Sequence, residues 1–164
     1  ENYGMRGVGY DSSREAISQA KKAAVGKPFV YEVRSISELL PLPDNSQTIV
    51  LDMMTSHFLN KEQRANLRKE IARVLKPGGW LFYKTFLRDG DRNAERLLAE
   101  APAEEEGSYI HPLMKVPEHV FTEAEIEEEL GEFFTIHRTY PSHRHLLRGE
   151  AAKRRSISVY AEKM

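Results

Sequence analysis

Residues 71–81 read Ile71-Ala72-Arg73-Val74-Leu75-Lys76-Pro77-Gly78-Gly79-Trp80-Leu81. Apolar side chains recur at helical spacing at Leu67, Ile71, Val74 and Leu75. They indicate the end of an amphipathic helix. The Lys76–Gly79 segment stops that helix, because proline cannot continue it and glycine permits the backbone to reverse. The aromatic and aliphatic run Trp80–Thr85 then predicts a strand. A helix, a tight reversal and a buried strand in this order are typical of an α/β fold.

Strands and helices also alternate upstream of this stretch. The predicted strands are Arg6–Tyr10, Phe29–Val33 and Thr48–Leu51. One helix is predicted to start at Asp11-Ser12-Ser13, where Ser12 and Glu15 have the spacing of a capping box, and another at Asn60, with Gln63 three residues on. A helical turn is predicted at Ser37–Leu40. This alternation requires crossover connections, so it predicts a largely parallel sheet.

The second half of the chain has a different pattern. It predicts a helix at Asp91–Glu100, a loop at Pro102–Pro117 and a helix capped by Thr122 and Glu125 and closed by Gly131. Two strands follow, at Phe133–Tyr140 and Ser156–Glu162, joined by a basic loop. In the second of them apolar and polar residues alternate, as in an antiparallel hairpin at a sheet edge.

The composition excludes several classes of protein. A chain of 164 residues favours one domain, residues 1–164, and a net charge of −1 gives no general attraction to nucleic acid. The absence of cysteine excludes disulfides, thiolate metal sites and a cysteine nucleophile. No apolar run reaches the roughly 18 residues of a membrane span. We therefore expect a cytoplasmic protein without a membrane partner.

Ligands of open parallel sheets bind beyond the carboxyl ends of the strands. Asp11 follows the first predicted strand, and its carboxylate either accepts hydrogen bonds from a nucleotide ribose or helps to cap the next helix. Asp52 follows the third strand and precedes Met53 and His57. Its carboxylate could simply precede the next helix, but methionine and histidine at the end of a strand suit a pocket wall better than a solvated loop. Ser35-Ile36 follows the second strand, where a plain turn is an equal alternative.

Three segments resemble the class I S-adenosylmethionine-dependent methyltransferases, in particular the type 11-like domains. Residues 7–17 resemble the second motif of that family, residues 40–50 its "LPF-x-D-x-SFD-x-V" segment and residues 71–81 its "RVLKPGG" segment. Gln47 and Thr48 depart from the Phe and Asp that are usual there. The resemblance implies an α/β, Rossmann-like fold with a mostly parallel sheet, helices on both faces and a C-terminal antiparallel hairpin.

The resemblance also implies roles for individual residues. Asp11 would hold the ribose hydroxyls of S-adenosylmethionine, with Ser12 beside it. Ser35 and Ile36 would contact adenine, although the family usually has an acidic residue at the Ser35 position. Asp52 and Met53 would line the methionine and methyl end of the cofactor. His57 would face the substrate, where it is the candidate general base.

The glycine-rich cofactor loop of the family has no counterpart in the sequence. In the alignment that the motifs imply, residues 1–4 end the first helix, so we expect the first strand, this loop and most of the first helix to be missing. We also expect weak cofactor binding, and oligomerisation if another chain supplies the strand. A strand and a glycine-rich loop are predicted within about 40 residues upstream of Glu1.

Histidines and basic residues gather near the C-terminus. His137, His143 and His145 invite a metal site, but no carboxylate accompanies them, and we predict no metal. Six basic residues flank the same loop: Arg138, Arg144, Arg148, Lys153, Arg154 and Arg155. They indicate either a solvated hairpin that balances the acidic helix Glu123–Glu129, or contact with an anionic substrate or RNA.

The leading hypothesis is therefore a methyltransferase that acts on a small molecule by direct displacement at the methyl carbon. Methyl transfer often needs only alignment of the two reactants, so a general base is not required. One alternative is a truncated or non-catalytic Rossmann-like domain that serves binding or assembly. Another is a nicotinamide dinucleotide enzyme, because Asp11 suits that cofactor too. The "RVLKPGG" segment and the terminal hairpin argue against this last alternative.

Overall fold

The structure is a computed structural model that describes residues 4–142, 146–147, 150–151 and 153–164. The chain divides into two compact units, Glu1–Leu40 and Pro41–Met164. The expectation of one domain over residues 1–164 stays a prediction. Within the described residues, no helix is both long and apolar enough to cross a membrane.

The first unit contains a parallel strand pair and one helix. Strands β1 (Gly7–Asp11) and β2 (Phe29–Val33) pair in parallel, with Asp11 opposite Val33. Helix α1 (Arg14–Ala23) connects them and buries Ile17. The predicted capping box of Ser12 and Glu15 is wrong by one residue. Ser13 is the N-cap, because its extended backbone lets its Oγ accept a hydrogen bond from the Ala16 N–H at 3.2 Å. Residues 36–37 form only a turn, so the predicted helical turn is not formed.

The second unit is built on a four-stranded mixed sheet in the order β3-β4-β10-β7. Its strands are β3 (Gln47–Met53), β4 (Leu75–Phe86), β7 (Phe134–Pro141) and β10 (Ser156–Lys163). β3 and β4 are parallel, whereas β10 is antiparallel to both of its neighbours. The C-terminal hairpin is thus antiparallel, as predicted. The hairpin also lies at one edge of this sheet, with β7 outermost and β10 between β4 and β7.

Three helices and a short hairpin complete this unit. Helices α2 (Lys61–Val74), α3 (Arg92–Glu100) and α4 (Glu123–Gly131) agree with the predicted helices, and both α2 and α4 start with the predicted capping boxes. The predicted loop Pro102–Pro117 is partly wrong. Strands β5 (Ser108–Ile110) and β6 (Pro117–His119) pair antiparallel within and beyond it. Strands β8 (Leu146–Leu147) and β9 (Glu150–Ala151) form a further two-residue pair.

The Lys76–Gly79 segment interrupts the regular pairing at the start of β4. Gln47 pairs with Leu75 and Ile49 pairs with Trp80, so the four residues between Leu75 and Trp80 loop out of the ladder. Gly78 adopts a φ of 72°, in the left-handed region. A Cβ on Gly79 would stand 2.8 Å from the Lys76 carbonyl oxygen. These two glycines permit an irregularity at the start of β4, which begins at Leu75 and not at Trp80 as predicted.

The two faces of the four-stranded sheet differ. On one face Leu81 and Tyr83 of β4 and Val159 of β10 are buried in the core. On the other face, rings of β4 and β10 form an aromatic cluster, with Phe82 4.9 Å from Tyr160. Leu51 of β3, which is paired with Phe82, is 66% exposed.

Candidate functional site

The carboxylate of Asp11 lies at the carboxyl end of β1, just before α1. Its Oδ1 accepts a hydrogen bond from the Ser13 N–H at 2.8 Å. This bond organises the turn into the helix, so the capping alternative is partly correct, with Ser13 in place of Ser12 as the cap. Among the residues that the structure describes, Oδ2 has no hydrogen-bond partner. Asp11 is only half-buried and Ser12 is exposed, so Oδ2 remains accessible to a ligand.

Ser35 and Ile36 follow β2 at the same edge of the strand pair. β1 and β2 are parallel, so their carboxyl ends meet there, and the Arg34 N–H extends the pairing to the Asp11 carbonyl oxygen at 3.0 Å. Ser35 Oγ lies 2.7 Å from Ser37 Oγ and accepts the Ser37 N–H. A hydroxyl has one donor and two acceptor sites, so Ser35 retains one further hydrogen-bonding site.

The carboxylate of Asp52 has a structural partner that the sequence did not reveal. In the second unit, Arg68 Nη1 of α2 donates to Asp52 Oδ2 at 2.8 Å, and Nη2 donates to Ser56 Oγ at 3.0 Å. Asp52 Oδ1 accepts the Ser56 N–H at 3.3 Å. The Arg68 guanidinium also stacks 4.4 Å from the centre of the Tyr83 ring. Asp52 therefore fixes the start of the segment that carries His57.

His57 lies in a 3₁₀ turn, Ser56–Phe58, directly after β3. Met53 is half-exposed, and Met54 adopts a φ of 61°, which is unusual outside glycine. The His57 ring is buried between Phe58 and Phe86, with ring centres 4.3 and 5.2 Å away. Its Nδ1 is buried and has no hydrogen-bond partner among the described residues.

Burial controls the protonation state of His57. Loss of hydration lowers the pKa of its imidazole, although the charges of Glu118 and Asp52 act in the opposite direction. The lowered pKa keeps the ring neutral at pH 7. A neutral imidazole can accept a proton, which is the requirement for a general base.

A cavity of about 620 Å³ adjoins His57. Its lining comes from the start of α2 and from the segment that carries β5 and β6: His57, Phe58, Leu59, Asn60, Lys61, Glu62, Gln63, Ala103, Glu104, Glu105, Ser108, Pro117 and His119. His119 is buried, and its Nδ1 lies 2.9 Å from Ser108 Oγ. Burial, together with the charge of Arg64, lowers the pKa of His119 to about 4, so His119 is neutral as well.

Comparison with known proteins identifies the family. A family described as "Methyltransferase domain" matches residues 1–83, half of the chain. The chain is a member of this methyltransferase family. No protein of curated function matches it.

Solved structures agree with this assignment. The chain resembles an S-adenosylmethionine-dependent methyltransferase from Methanosarcina mazei with a TM-score of 0.79 and 26% identity, over 96% of this chain and 81% of that one. A Mesorhizobium loti methyltransferase gives a TM-score of 0.72 and 19% identity, over 95% and 79% of the two chains. The Burkholderia thailandensis 1,6-didemethyltoxoflavin-N1-methyltransferase, with bound S-adenosylhomocysteine, gives 0.68 and 19%, over 98% and 62%. The methyltransferase therefore has the Rossmann-like fold that the resemblance implied.

The cofactor of the methyltransferase is S-adenosylmethionine. The donor set at the end of β1 fits it, because the accessible Oδ2 of Asp11 can accept a hydrogen bond from a ribose hydroxyl. Ser35 offers one hydrogen bond in place of the acidic residue that is usual for the family. Asp52 fits less well, since both of its oxygens already accept hydrogen bonds. The ligand roles of Asp11, Ser12, Ser35, Ile36, Asp52 and Met53 stay predictions.

A second buried cluster of the methyltransferase lies on β5 and β6. The Glu118 carboxylate accepts hydrogen bonds from Tyr109 Oη and, at 3.3 Å, from Arg154 Nη1. Arg154 Nε in turn donates to Asp91 Oδ2 at 3.0 Å. Glu118 was not predicted from the sequence, because it directly follows the predicted loop Pro102–Pro117 and a three-residue strand gives too short a pattern to recognise.

Two of the described basic residues near the C-terminus of the methyltransferase differ in their surroundings. Arg154 is turned inward toward Asp91 and Glu118, whereas Arg138 is exposed. His137 Nε2 lies 2.7 Å from Glu162 Oε2. His143, His145, Arg144 and Arg148 lie outside the described residues. Within residues 4–142, 146–147, 150–151 and 153–164, no group of three His, Cys, Asp or Glu side chains could hold a metal ion.

Proposed function

We propose that the protein transfers a methyl group from S-adenosylmethionine to a small molecule bound beside His57. The observation that carries this proposal is a buried, neutral imidazole at the carboxyl end of β3 next to a cavity of about 620 Å³. This volume lies in the range of small-molecule sites. The methyl acceptor itself is not identified by the residues that line the cavity.

The roles of the residues follow from their surroundings. When bound, S-adenosylmethionine supplies a methyl group that is activated by a positively charged sulfur. Asp11 and Ser35 would hold the ribose and adenine by hydrogen bonds. Asp52, through Ser56, orients the turn that carries His57. His57 would accept, at a ring nitrogen, the proton that an O–H or N–H group of the acceptor loses when it takes up the methyl group. The hydrophobic flanks Phe58 and Phe86 keep water away from the imidazole.

The surroundings of the described basic residues favour a small-molecule acceptor over RNA. Arg154 neutralises buried carboxylates and therefore is not available to a phosphate backbone. The cavity beside His57 has both acidic and basic lining residues, which also gives no general preference for a polyanion. The non-catalytic alternative leaves the accessible carboxylate of Asp11 and the buried His57 without a use.

Nuclear magnetic resonance with S-adenosylhomocysteine tests the proposal. Chemical shifts detect millimolar as well as micromolar binding, so a low affinity does not hide the result. We expect the backbone amides of Ser12, Ser13, Ser35 and Ile36 to shift on titration. Asp11→Asn should weaken binding at least tenfold, because a neutral amide is a poorer acceptor for a ribose hydroxyl.

The control is Glu15→Gln, which alters an exposed carboxylate on the same segment that bonds only to Gln19 among the described residues. It should bind like the unmodified protein. Absence of any shift at millimolar S-adenosylhomocysteine in the folded protein would support the non-catalytic alternative.

A further inference from the structure

The β5–β6 hairpin makes apolar contacts on one side and a charged contact on the other. On the side of α3, Tyr109 and Val120 pack in a buried apolar cluster with Ala94, against Leu97 and Leu98. These contacts hold the base of the hairpin through the hydrophobic effect. On the side of α2, the contact is made by a carboxylate, that of Glu105.

Glu105 binds the first turn of α2 through both of its oxygens. Oε2 accepts the Lys61 N–H at 3.1 Å and lies 3.4 Å from Arg64 Nη1. Oε1 accepts a hydrogen bond from Arg64 Nη2 and lies 3.5 Å from His119 Nδ1. Charge-assisted bonds of this kind are stronger than neutral ones and depend on orientation.

Arg64 is the fixed partner in this contact. It is buried, its Nε donates to Glu129 Oε1 at 3.0 Å, and its Nη1 donates to the Leu59 carbonyl oxygen at 2.8 Å. The guanidinium also lies 5.3 Å from the centre of the Phe121 ring. If the contact breaks, Arg64 therefore stays in place. Glu105, which is 27% exposed on the segment before β5, is the group that is free to move.

Glu105 also lies at the boundary of two cavities. A second cavity, of about 520 Å³, is lined by Arg64 and residues of α4, and it shares Lys61, Glu105 and His119 with the cavity beside His57. The ion pair of Glu105 and Arg64 thus lies where the two cavities meet. Its release would connect them and enlarge the space beside His57.

We propose that Glu105 is a positioning residue that latches the β5–β6 hairpin over the cavity beside His57. Opening of the Glu105–Arg64 pair admits a ligand to His57, and closing excludes water from it. That this ligand is the methyl acceptor rests on the proposed function, whereas the latch itself does not.

Two measurements that need no ligand test the latch. The first is hydrogen–deuterium exchange in Glu105→Gln, which keeps the shape of the side chain and removes its charge. We expect the amides of residues 103–119 and of Lys61 to exchange at least threefold faster. The amides of β4 and β10 should be unchanged, because those strands form the centre of the sheet. Glu104→Gln, an exposed neighbour on the same segment, is the matched control and should behave like the unmodified protein.

The second measurement is the rate at which diethyl pyrocarbonate modifies individual histidines. His57 is buried, and its modification should accelerate severalfold in Glu105→Gln, while that of exposed His137 should not change. A general loss of structure would accelerate both the β10 amides and every histidine, so it is distinguished from latch opening. Unchanged exchange at residues 103–119 and unchanged modification of His57 would overturn the latch, whatever the titration with S-adenosylhomocysteine shows.

Discussion

Arg68 Nη1 lies 2.8 Å from Asp52 Oδ2, and both side chains are almost completely buried. The pair joins the middle of α2 to the end of β3, sixteen residues apart in sequence. Ser56 bonds to both members, so the pair also sets the position of the turn that contains His57. Asp52, which the sequence predicts as a cofactor contact, thus also stabilises the fold through its ion pair with Arg68.

The first prediction concerns this pair. Asp52→Asn should lower the free energy of unfolding by about 3 kcal/mol, because it leaves the charge of buried Arg68 with only the more distant Glu129, 3.9 Å away. Urea denaturation followed by circular dichroism measures the change. Asp44→Asn removes an ion pair with Arg73 whose carboxylate is 71% exposed, and it should cost less than about 1 kcal/mol. Equal effects of the two substitutions would contradict the structural role of Asp52.

The second prediction concerns the Lys76–Gly79 segment near the start of β4. Gly79→Ala should destabilise the protein by about 1–3 kcal/mol, since its Cβ would meet the Lys76 carbonyl oxygen at 2.8 Å and the Thr48 carbonyl oxygen at 3.3 Å. Gly131→Ala is the control, because no atom lies within 4 Å of the added Cβ. It should leave stability unchanged or raise it by up to about 1 kcal/mol. A thermal melt of the two variants compares them directly, and a stable Gly79→Ala protein would show that this segment can relax.

The third prediction is a loss of stability in mild acid. The pKa of His119 is lowered by burial to about 4, below the ordinary value of 6.5, so the unfolded chain binds more protons between these values. The contribution of neutral His119 to the free energy of unfolding is therefore fully present above pH 6.5 and is lost as the pH falls toward 4. From pH 7 to pH 5 the expected loss is about 2 kcal/mol.

His119→Gln tests that origin. The variant cannot titrate at this position, so its free energy of unfolding should fall less between pH 7 and pH 5 than that of the unmodified protein. Burial raises the pKa of Glu105, but the hydrogen bonds from Arg64 and Lys61 and the charges of Arg64 and His119 together outweigh this effect, and the net shift is downward. Glu105 therefore loses its charge only in stronger acid. An identical pH dependence in the two proteins would refute the assignment to His119.

The fourth prediction concerns the titration of His57 itself. Its imidazole should titrate below the ordinary pKa of 6.5, because desolvation disfavours the charged ring. Glu118→Gln should lower this pKa further, since the charge of Glu118 favours the imidazolium. Nuclear magnetic resonance of the ring protons measures both values. A midpoint at or above 6.5 in the unmodified protein would contradict the buried, neutral state that a general base requires.

Local sequence patterns predicted the start of a helix correctly where a single pair of capping residues determines it. The capping boxes of Asn60 with Gln63 and of Thr122 with Glu125 occur as predicted, because the bonding residues are three apart and no tertiary contact is needed. The start of α1 was misplaced by one residue. Ser12 and Ser13 are the same type of residue, so only the backbone conformation selects Ser13 as the cap.

The part of the candidate site that lies at the ends of strands could also be predicted from the sequence. The parallel pairing of β1 and β2 brings the ends of both strands, and so Asp11 and Ser35, to one edge. Arg64, Arg68 and His119 could not be found in this way. Their importance comes from partners that are distant in sequence, such as Asp52 and Glu129. Such pairings are fixed by the packing of α2 and α4, which no local pattern encodes.

Trp80 is the single tryptophan of the chain, and its ring lies 5.0 Å from His137 and 6.4 Å from Phe82 on the aromatic face of the sheet. The tryptophan emission of the protein therefore comes from one known place and reports the polarity there. A molecule that covers this face should shift the emission to shorter wavelength. Tryptophan emission thus provides a label-free optical assay for binding to the sheet face.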